Sequence, residues 1–246
     1  MIVSRGPSGV ELAAELAGAH GKALSITLVC SQSSLLPGLR PRAGRYAQRW
    51  LEKRGVTIVL GEREPITNDG EPFWSPRAAA HADRGRALPC DVLLWCVGHR
   101  ANGGVVGGGV IAADANLLVK SFANVYTSGD CLQSGEEKTA SAADLAAMVA
   151  AVNGARALKR GDNPKLLAFP RDACAGAAHV PVVACVNLFK HSGVRQFKSV
   201  VICGAVAALT KAVIEAAQLT LARERACVFW LWRLFETLML AVCRVL

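Results

Sequence analysis

The stretch MIVSRGPSGVELAAEL, residues 1–16, decides the fold. Ile2 and Val3 make the stub of a strand. Pro7 suits the first turn of a helix, whose Val10, Ala13, Ala14 and Ala17 share one face up to about Ala19. Between strand and helix, Ser4, Gly6 and Gly9 stand at the three places of the dinucleotide-binding fingerprint. The first place allows a tight turn, the second lets backbone approach a pyrophosphate, and the third lets helix and strand pack closely. Free N–H groups at the helix start supply the anion-binding chemistry, and Pro7 and Ser8 complete the turn. With Ser4 in the first place the match is degenerate, and alone it describes any strand followed by a helix. Its surroundings give it weight.

Working outward, residues 23–30 (ALSITLVC) predict a strand buried on both sides. Residues 43–54 predict an amphipathic helix with Tyr46, Ala47, Trp50 and Leu51 inward, and 56–60 (VTIVL) a third strand. This βαβαβ order implies an α/β fold of Rossmann type with a parallel sheet. Residues 63–90 are polar, with a turn at Asn68-Asp69-Gly70, and predict a short antiparallel excursion before a buried strand at 91–97. The glycine-rich run 103–109 opens no helix and is a loop, not a phosphate cradle. A strand over 124–127, an Ala-rich helix over 139–158, a linker at 160–165, a strand within 181–189 and a helix over 199–222 follow. Three regions are expected: a nucleotide-binding domain over 1–100, a second nucleotide-domain segment over 101–163, and a C-terminal region over 164–246.

Composition narrows the class. At 52% hydrophobic and 19% charged the chain buries a real core and is not a disordered sequence. Residues 1–153 carry 15 Lys and Arg against 14 Asp and Glu, while 154–246 carry 13 against 5. The basic character therefore belongs to the C-terminal third, which suits an anionic surface or an acidic partner. No nucleic-acid-binding motif is present, and no nucleic-acid partner is expected. The nine cysteines are odd in number, form no CxxC and sit mostly in apolar runs, a reducing-compartment pattern. An intracellular setting is expected, cytoplasmic or membrane-associated, mitochondria included.

Two further stretches bear on chemistry. Where a carboxylate would receive the adenosine ribose hydroxyls, the chain has Cys30-Ser31-Gln32, with Arg40, Arg42 and Arg45 soon after. One reading is tolerance of a 2′-phosphate; the other is a solvated basic face at a helix start. In NVYTSGDC, residues 124–131, the chain reaches Gly129-Asp130 ahead of an Ala-rich helix. An Asp there can accept hydrogen bonds from ribityl hydroxyls, and the helix start can stabilise negative charge on a reduced flavin.

Taken in order, SRGPSGVELAAEL, ITLVCSQSSLLPGLRP, EKRGVTIVLGER, LLWCVG and NVYTSGDC resemble the two-dinucleotide-binding flavoproteins of the pyridine nucleotide-disulfide reductase superfamily. Within it they look most like the apoptosis-inducing-factor-like NAD(P)H:quinone oxidoreductases, a branch that includes the ferroptosis-suppressor type. The likeness covers about residues 1–160, and NLFKHSGVRQF carries it more weakly into the C-terminal third. It implies FAD and NADH or NADPH as cofactors and a quinone-like acceptor. It implies that Gly6, Pro7, Ser8 and Gly9 form the pyridine-nucleotide turn, with Ser31 and Arg40 at the ribose end. Glu11 would lie near the nicotinamide, and Gly98 would precede the return to the flavin domain. Gly129 and Asp130 would bind the flavin, and Lys138 stands where either a lysine near the flavin ring or an ordinary exposed lysine would be.

Three departures qualify the likeness. Family members carry an earlier FAD segment with its own Gly-rich turn, so MIVSRG is expected to correspond to the middle of a longer ancestral protein. No redox Cys pair occurs, so disulfide-reductase chemistry is not expected. Ser4 and the missing acid weaken the nicotinamide site. The residues leave three functions open: hydride transfer from NAD(P)H through FAD to a quinone-like acceptor, a non-catalytic nucleotide-binding fragment, or a membrane-associated interaction protein. For the last, 226–246 is near spanning length. Arg233 within it would cost about 2.5–3.5 kcal/mol at a bilayer centre, which favours a peripheral, interfacial helix or a helix packed on protein.

Overall fold

The computed structural model describes residues 1–4, 6–61, 74–76, 79–81, 87–98, 101–104, 109–133, 138–160, 165–169, 183–197 and 199–222. The chain forms two compact units, one from Met1–Gly98 with the described part of Val182–Leu246, the other from His99–Pro181. The C-terminal strands and helix, set apart as a third region in the sequence, cluster instead with the first unit.

The first unit is built on a sheet of five strands: β1 (Ile2–Ser4), β2 (Thr27–Cys30), β3 (Thr57–Leu60), β4 (Trp74–Pro76) and β7 (Val92–Cys96). A two-stranded hairpin of β5 (Ala79–His81) and β6 (Ala87–Pro89) comes between the last two in sequence. The strand order across the main sheet is β3-β2-β1-β7-β4. β1 runs parallel to β2 and β7, and β2 parallel to β3; β4 joins antiparallel to β7, as the polar excursion predicts. The connecting helices are α1 (Pro7–His20) and α2 (Pro41–Glu52), each opening on proline, whose fixed φ suits a first helical turn. The strand expected over 23–30 begins only at Thr27, because Gly21–Ala23 form a turn of 3-10 helix and Leu24 faces solvent. The Asn68-Asp69-Gly70 turn lies outside the described residues.

Behind α1 and α2 lies a second, antiparallel sheet formed by β8 (Val183–Asn187), β9 (Gly193–Phe197) and β10 (Val200–Cys203), with β9 in the middle. Helix α4 (Ala205–Ala222) covers its far face. Residues 200–203, expected within a helix, are thus a strand. The run Val-Val-Ile favours extended backbone, and β9 supplies ladder partners from Val200↔Phe197 to Cys203↔Val194. Gly204, with φ of 93°, makes the turn into α4. One core joins the two sheets: Ile2, Val10, Ala17, Leu28 and Leu51 share it with Val186, Leu188 and Val194. The region 226–246, expected to be an apolar helix, lies outside the described residues.

The second unit centres on α3 (Ala140–Arg160), packed through Ala146 and Val149 against Ala113, Leu117, Leu132 and Phe169. The strand expected over 124–127 is not a full strand. Leu118 and Tyr126 form an isolated bridge, flanked by Val119 N–H to Val125 O at 2.8 Å and Thr127 N–H to Leu117 O at 3.0 Å.

Candidate functional site

The order of the parallel strands fixes the place of a site. From β1 the sheet runs to β2 and β3 on one side and to β7 on the other, so the strand order reverses beside β1. Open α/β sheets bind ligands in the crevice at such a switch point, at the carboxyl ends of the strands. The Ser4–Gly9 turn lies there. Gly6 is the residue before α1, with extended backbone (φ −155°, ψ −165°), and no side chain caps the helix start. No acidic residue occupies the first turn of α1, and Ser8 is exposed. The positive end of the helix macrodipole and the N–H groups of its first turn are thus presented without a competing carboxylate.

Two glycines there have separate duties. A Cβ on Gly9 would overlap the Ser4 side chain, so Gly9 is what lets α1 lie against β1. A Cβ on Gly6 would meet nothing within 4 Å, so the space beside it is open to a ligand. Ser4 does more than fill a glycine's place. Its Oγ accepts the Gly6 N–H at 3.2 Å and donates to the Gly6 carbonyl at 3.0 Å, tying the turn together. This arrangement fits a pyrophosphate, with one backbone donor already engaged by Ser4.

At the end of β2, Ser31 to Ser34 offer hydroxyl and amide groups and no carboxylate. The loop is pinned by the Gly61 N–H donating to the Gln32 carbonyl at 2.9 Å. Arg40 stands immediately before α2 with its side chain exposed, and its backbone N–H donates to Gln196 Oε1 at 2.7 Å. The buried Gln196 on β9 therefore sets where the chain enters α2. At the end of β7, Gly98 is exposed, adopts φ of 126° and has open space around its Cα.

Glu11, one turn into α1, is held by distant partners. Its Oε1 accepts the Asn187 backbone N–H at 2.8 Å and pairs with Lys211 Nζ at 3.0 Å. Asn187 closes β8 and Lys211 lies on α4, so one carboxylate oxygen holds three elements together. Nothing local in the sequence announces Lys211, Asn187 or Gln196 as partners of this region, since each lies more than 150 residues away from the group it meets.

The remaining expected residues lie in the second unit. Gly129, with φ of 76°, opens a 3-10 turn through Cys131, and Asp130 is exposed on it. Lys138 Nζ donates to the Leu132 carbonyl at 2.6 Å, so its ammonium sits close to that turn. Thr139 precedes α3, and its Oγ1 accepts the Ala142 N–H at 3.3 Å. Asn153, fully buried in the Ala-rich helix, is a residue that sequence reasoning misses. Its Nδ2 donates to the carbonyls of Asn116 and Leu167, both at 2.9 Å, and its Oδ1 accepts the Leu167 N–H at 2.7 Å. The one signal of it is a lone amide on an apolar helical face.

Three thiols of the first unit are held protonated. Burial raises the titration of Cys96 at the end of β7. Burial also raises Cys185, offset by Lys211 and Arg195, and Cys203, offset by Arg42 and Arg49. Among the described residues no cluster of His, Cys, Asp and Glu could hold a metal ion. No helix among them is long and apolar enough to cross a membrane.

Comparison with known proteins agrees with this geometry. The profile of the family described as pyridine nucleotide-disulphide oxidoreductase matches residues 1–147. Ferroptosis suppressor protein 1 of Xenopus tropicalis is 29% identical over 167 residues, covering 62% of this chain and 44% of the relative. The human protein of the same name is 27% identical, covering 65% and 46%. The chain thus spans under half the length of these relatives. Among solved structures, LpdA from Mycobacterium tuberculosis superposes with a TM-score of 0.56 at 20% identity, over 79% of this chain and 39% of that one.

Proposed function

Because the chain belongs to the pyridine nucleotide-disulphide oxidoreductase family, whose cofactors are FAD and NAD(P)H, we propose that it serves a flavin-dependent oxidoreductase that passes hydride from NAD(P)H to FAD and on to a quinone-like acceptor. The observation that carries this reading is the open, uncapped Ser4–Gly9 turn at the switch point of the sheet. The backbone N–H groups of Ser8 and Gly9 and the dipole of α1 would hold the pyrophosphate of the nicotinamide cofactor. Ser31 and the exposed Arg40 would meet its ribose end, where the lack of a carboxylate leaves room for NADPH as well as NADH. Gly98 would leave the nicotinamide end unobstructed.

In the second unit the exposed Asp130 would accept ribityl hydroxyls, and Lys138 would add positive charge beside it. FAD, when bound, supplies the hydride acceptor and the outlet for electrons. The chain's own residues bind and orient; no side chain is assigned a proton transfer. The likeness to the quinone-reducing branch supports the quinone-like acceptor.

The test is spectroscopic. The purified chain is mixed with FAD, freed of excess, and titrated anaerobically with NADPH. Retained flavin absorbance that bleaches with NADPH and returns with a short-chain ubiquinone is expected. A chain that binds NADPH but retains no flavin would reduce the reading to nucleotide binding. Failure to bind either would overturn it.

A further inference from the structure

The segment between β2 and α2, residues 31–40, is held at both ends and in the middle. At its start the Gly61 N–H donates to the Gln32 carbonyl at 2.9 Å. In the middle Leu35 and Leu36 are buried in the core of the first unit, and Leu36 takes the left-handed conformation, with φ of 52°. A bulky side chain keeps that conformation only where its surroundings enforce it. Gly44 is part of the enforcement: a Cβ there would overlap the Leu35 carbonyl oxygen, so the backbone of α2 lies directly on the loop. The Leu39 N–H closes a turn onto the Leu36 carbonyl at 2.9 Å. At the end of the segment the Arg40 N–H donates to Gln196 Oε1 at 2.7 Å.

Gln196 is the part of this frame that comes from elsewhere in the chain. It lies on β9, the central strand of the C-terminal sheet, and is 3% exposed. Arg40, with φ of −58° and ψ of 143°, stands just before Pro41 opens α2. Its N–H therefore makes no bond within the helix and takes an acceptor from outside. That acceptor fixes the plane of the peptide entering Arg40, and with it the direction in which the Arg40 side chain leaves the backbone. A second bond, Tyr46 Oη to Ser192 Oγ at 3.0 Å, ties α2 to the residue before β9 one turn and a half further on.

The charge pattern at this corner suits an anion. Because β2 and β3 are parallel, α2 begins at the carboxyl end of the sheet. Arg40, Arg42 and Arg45 crowd that beginning, all exposed, and the first turn of α2 holds no acidic residue. Among the described residues none of the three forms an ion pair. Cations at the positive end of a helix weaken it, so the placement costs stability until an anion offsets it. An arginine meets a phosphate through paired N–H donors in a rigid plane, and a displaced guanidinium forfeits one of the pair.

We infer that Gln196 is a positioning residue for NADPH: by holding the Arg40 backbone it keeps the Arg40 guanidinium where the 2′-phosphate is received. The inference rests on the nucleotide site proposed above, in which Ser31 and Arg40 meet the ribose end. It assigns part of the discrimination between NADPH and NADH to a strand 156 residues away in sequence. Without its acceptor the Arg40 N–H turns to water, the entry to α2 tilts, and the guanidinium leaves the phosphate. NADH carries no 2′-phosphate and does not register the change.

Calorimetric titration of the full chain with NADPH and with NADH reads the effect, beside melting curves. Q196M keeps the length of the side chain and removes the acceptor; it is expected to weaken NADPH about tenfold and NADH by less than about twofold. Q196E retains an acceptor and should keep the preference. In the R40Q chain NADPH affinity should already be low, and adding Q196M should change it little, because the two residues act through one contact. Y46F is the control for loosened packing: stability should fall while the preference stays. The unmodified chain gives a readout that needs no substitution. Coupling is reciprocal, so saturating NADPH should slow exchange of the Arg40 amide hydrogen more than saturating NADH does. Equal losses for both nucleotides in Q196M, a loss undiminished in the R40Q background, or equal protection of the Arg40 amide would overturn the inference and leave nucleotide binding in place. A chain that binds neither nucleotide would overturn the proposed function, and this inference with it.

Discussion

Glu11 Oε1 lies 3.0 Å from Lys211 Nζ and also takes the Asn187 backbone N–H at 2.8 Å, so a single oxygen of α1 ties it to β8 and α4. The two partners differ in worth. The ion pair is partly solvated, with side chains 31% and 25% exposed, and pairs at the surface contribute about 0.2–1 kcal/mol. The Asn187 N–H, in contrast, loses its acceptor if the side chain goes. Glu11→Gln should therefore cost under about 1 kcal/mol, and less in high salt. Glu11→Ala should cost about 1–3 kcal/mol with little salt dependence. Urea denaturation at low and high ionic strength separates the two, and equal losses for both variants would contradict this division.

Gly9→Ala puts a methyl group into the Ser4 side chain, forcing α1 off β1. A loss of about 1–3 kcal/mol is expected, as for other overpacked sites. Removing the obstacle should undo it: the S4G/G9A chain is predicted to recover most of that stability. Thermal melts of the two single variants and the pair form the cycle, and strict additivity would show that the Ser4 contact is not the cause.

Gly6→Ala should behave in the opposite way. Its Cβ has room, so stability should change by no more than about 0.5 kcal/mol. The same methyl group stands where a pyrophosphate must approach. NADPH affinity is expected to fall about tenfold or more, near 1.4 kcal/mol. Calorimetric titration read beside the melting curve checks both halves. Unchanged affinity would mean the pyrophosphate does not approach this turn.

Asn153→Ala leaves the Leu167 N–H and the Asn116 carbonyl without this partner, while the Leu167 carbonyl keeps the Asn116 Nδ2–H. Each orphaned group costs about 1–3 kcal/mol, so the second unit should lose several kcal/mol. Tryptic digestion should then open first within residues 99–181, while the first unit, which contains none of these groups, stays resistant.

The pH dependence follows from the thiols. Burial raises Cys96, Cys185 and Cys203 above the ordinary value of 9.0. The unfolded chain therefore gives up these protons first, and the native state binds more of them. Stability from this source is complete below pH 9.0 and falls as pH rises through the folded values. A chain carrying C96S, C185S and C203S should show a flatter decline above pH 9.0 in chemical denaturation. An identical slope would assign the decline to other groups.

The nucleotide half was legible because its signals are local. Proline at the start of α1, apolar faces at helical spacing and short β-rich runs mark α1, β2, α2 and β3 within a few residues. The glycine turn is legible for the same reason. What failed depended on distant partners. Val200–Cys203 looks helical beside an Ala-rich stretch until β9 offers it a ladder. Residues 124–127 look like a strand, yet their neighbours supply only single bridges. Glu11 is singled out by resemblance, whereas its ties to Asn187 and Lys211 are not legible, because no spacing rule connects α1 with α4.

The shared core of the first unit has a consequence for how the molecule is made. Ile2, Val10 and Leu51 complete their packing with Val186, Leu188 and Val194, and some 83 residues forming another unit are translated in between. A nascent chain that has just finished β7 leaves the outer surfaces of α1 and α2 wet. It must wait for β8 to β10 to leave the ribosome, at about 5–20 residues per second. Until then the nucleotide-binding half is an unfinished domain with a long-range closure still ahead.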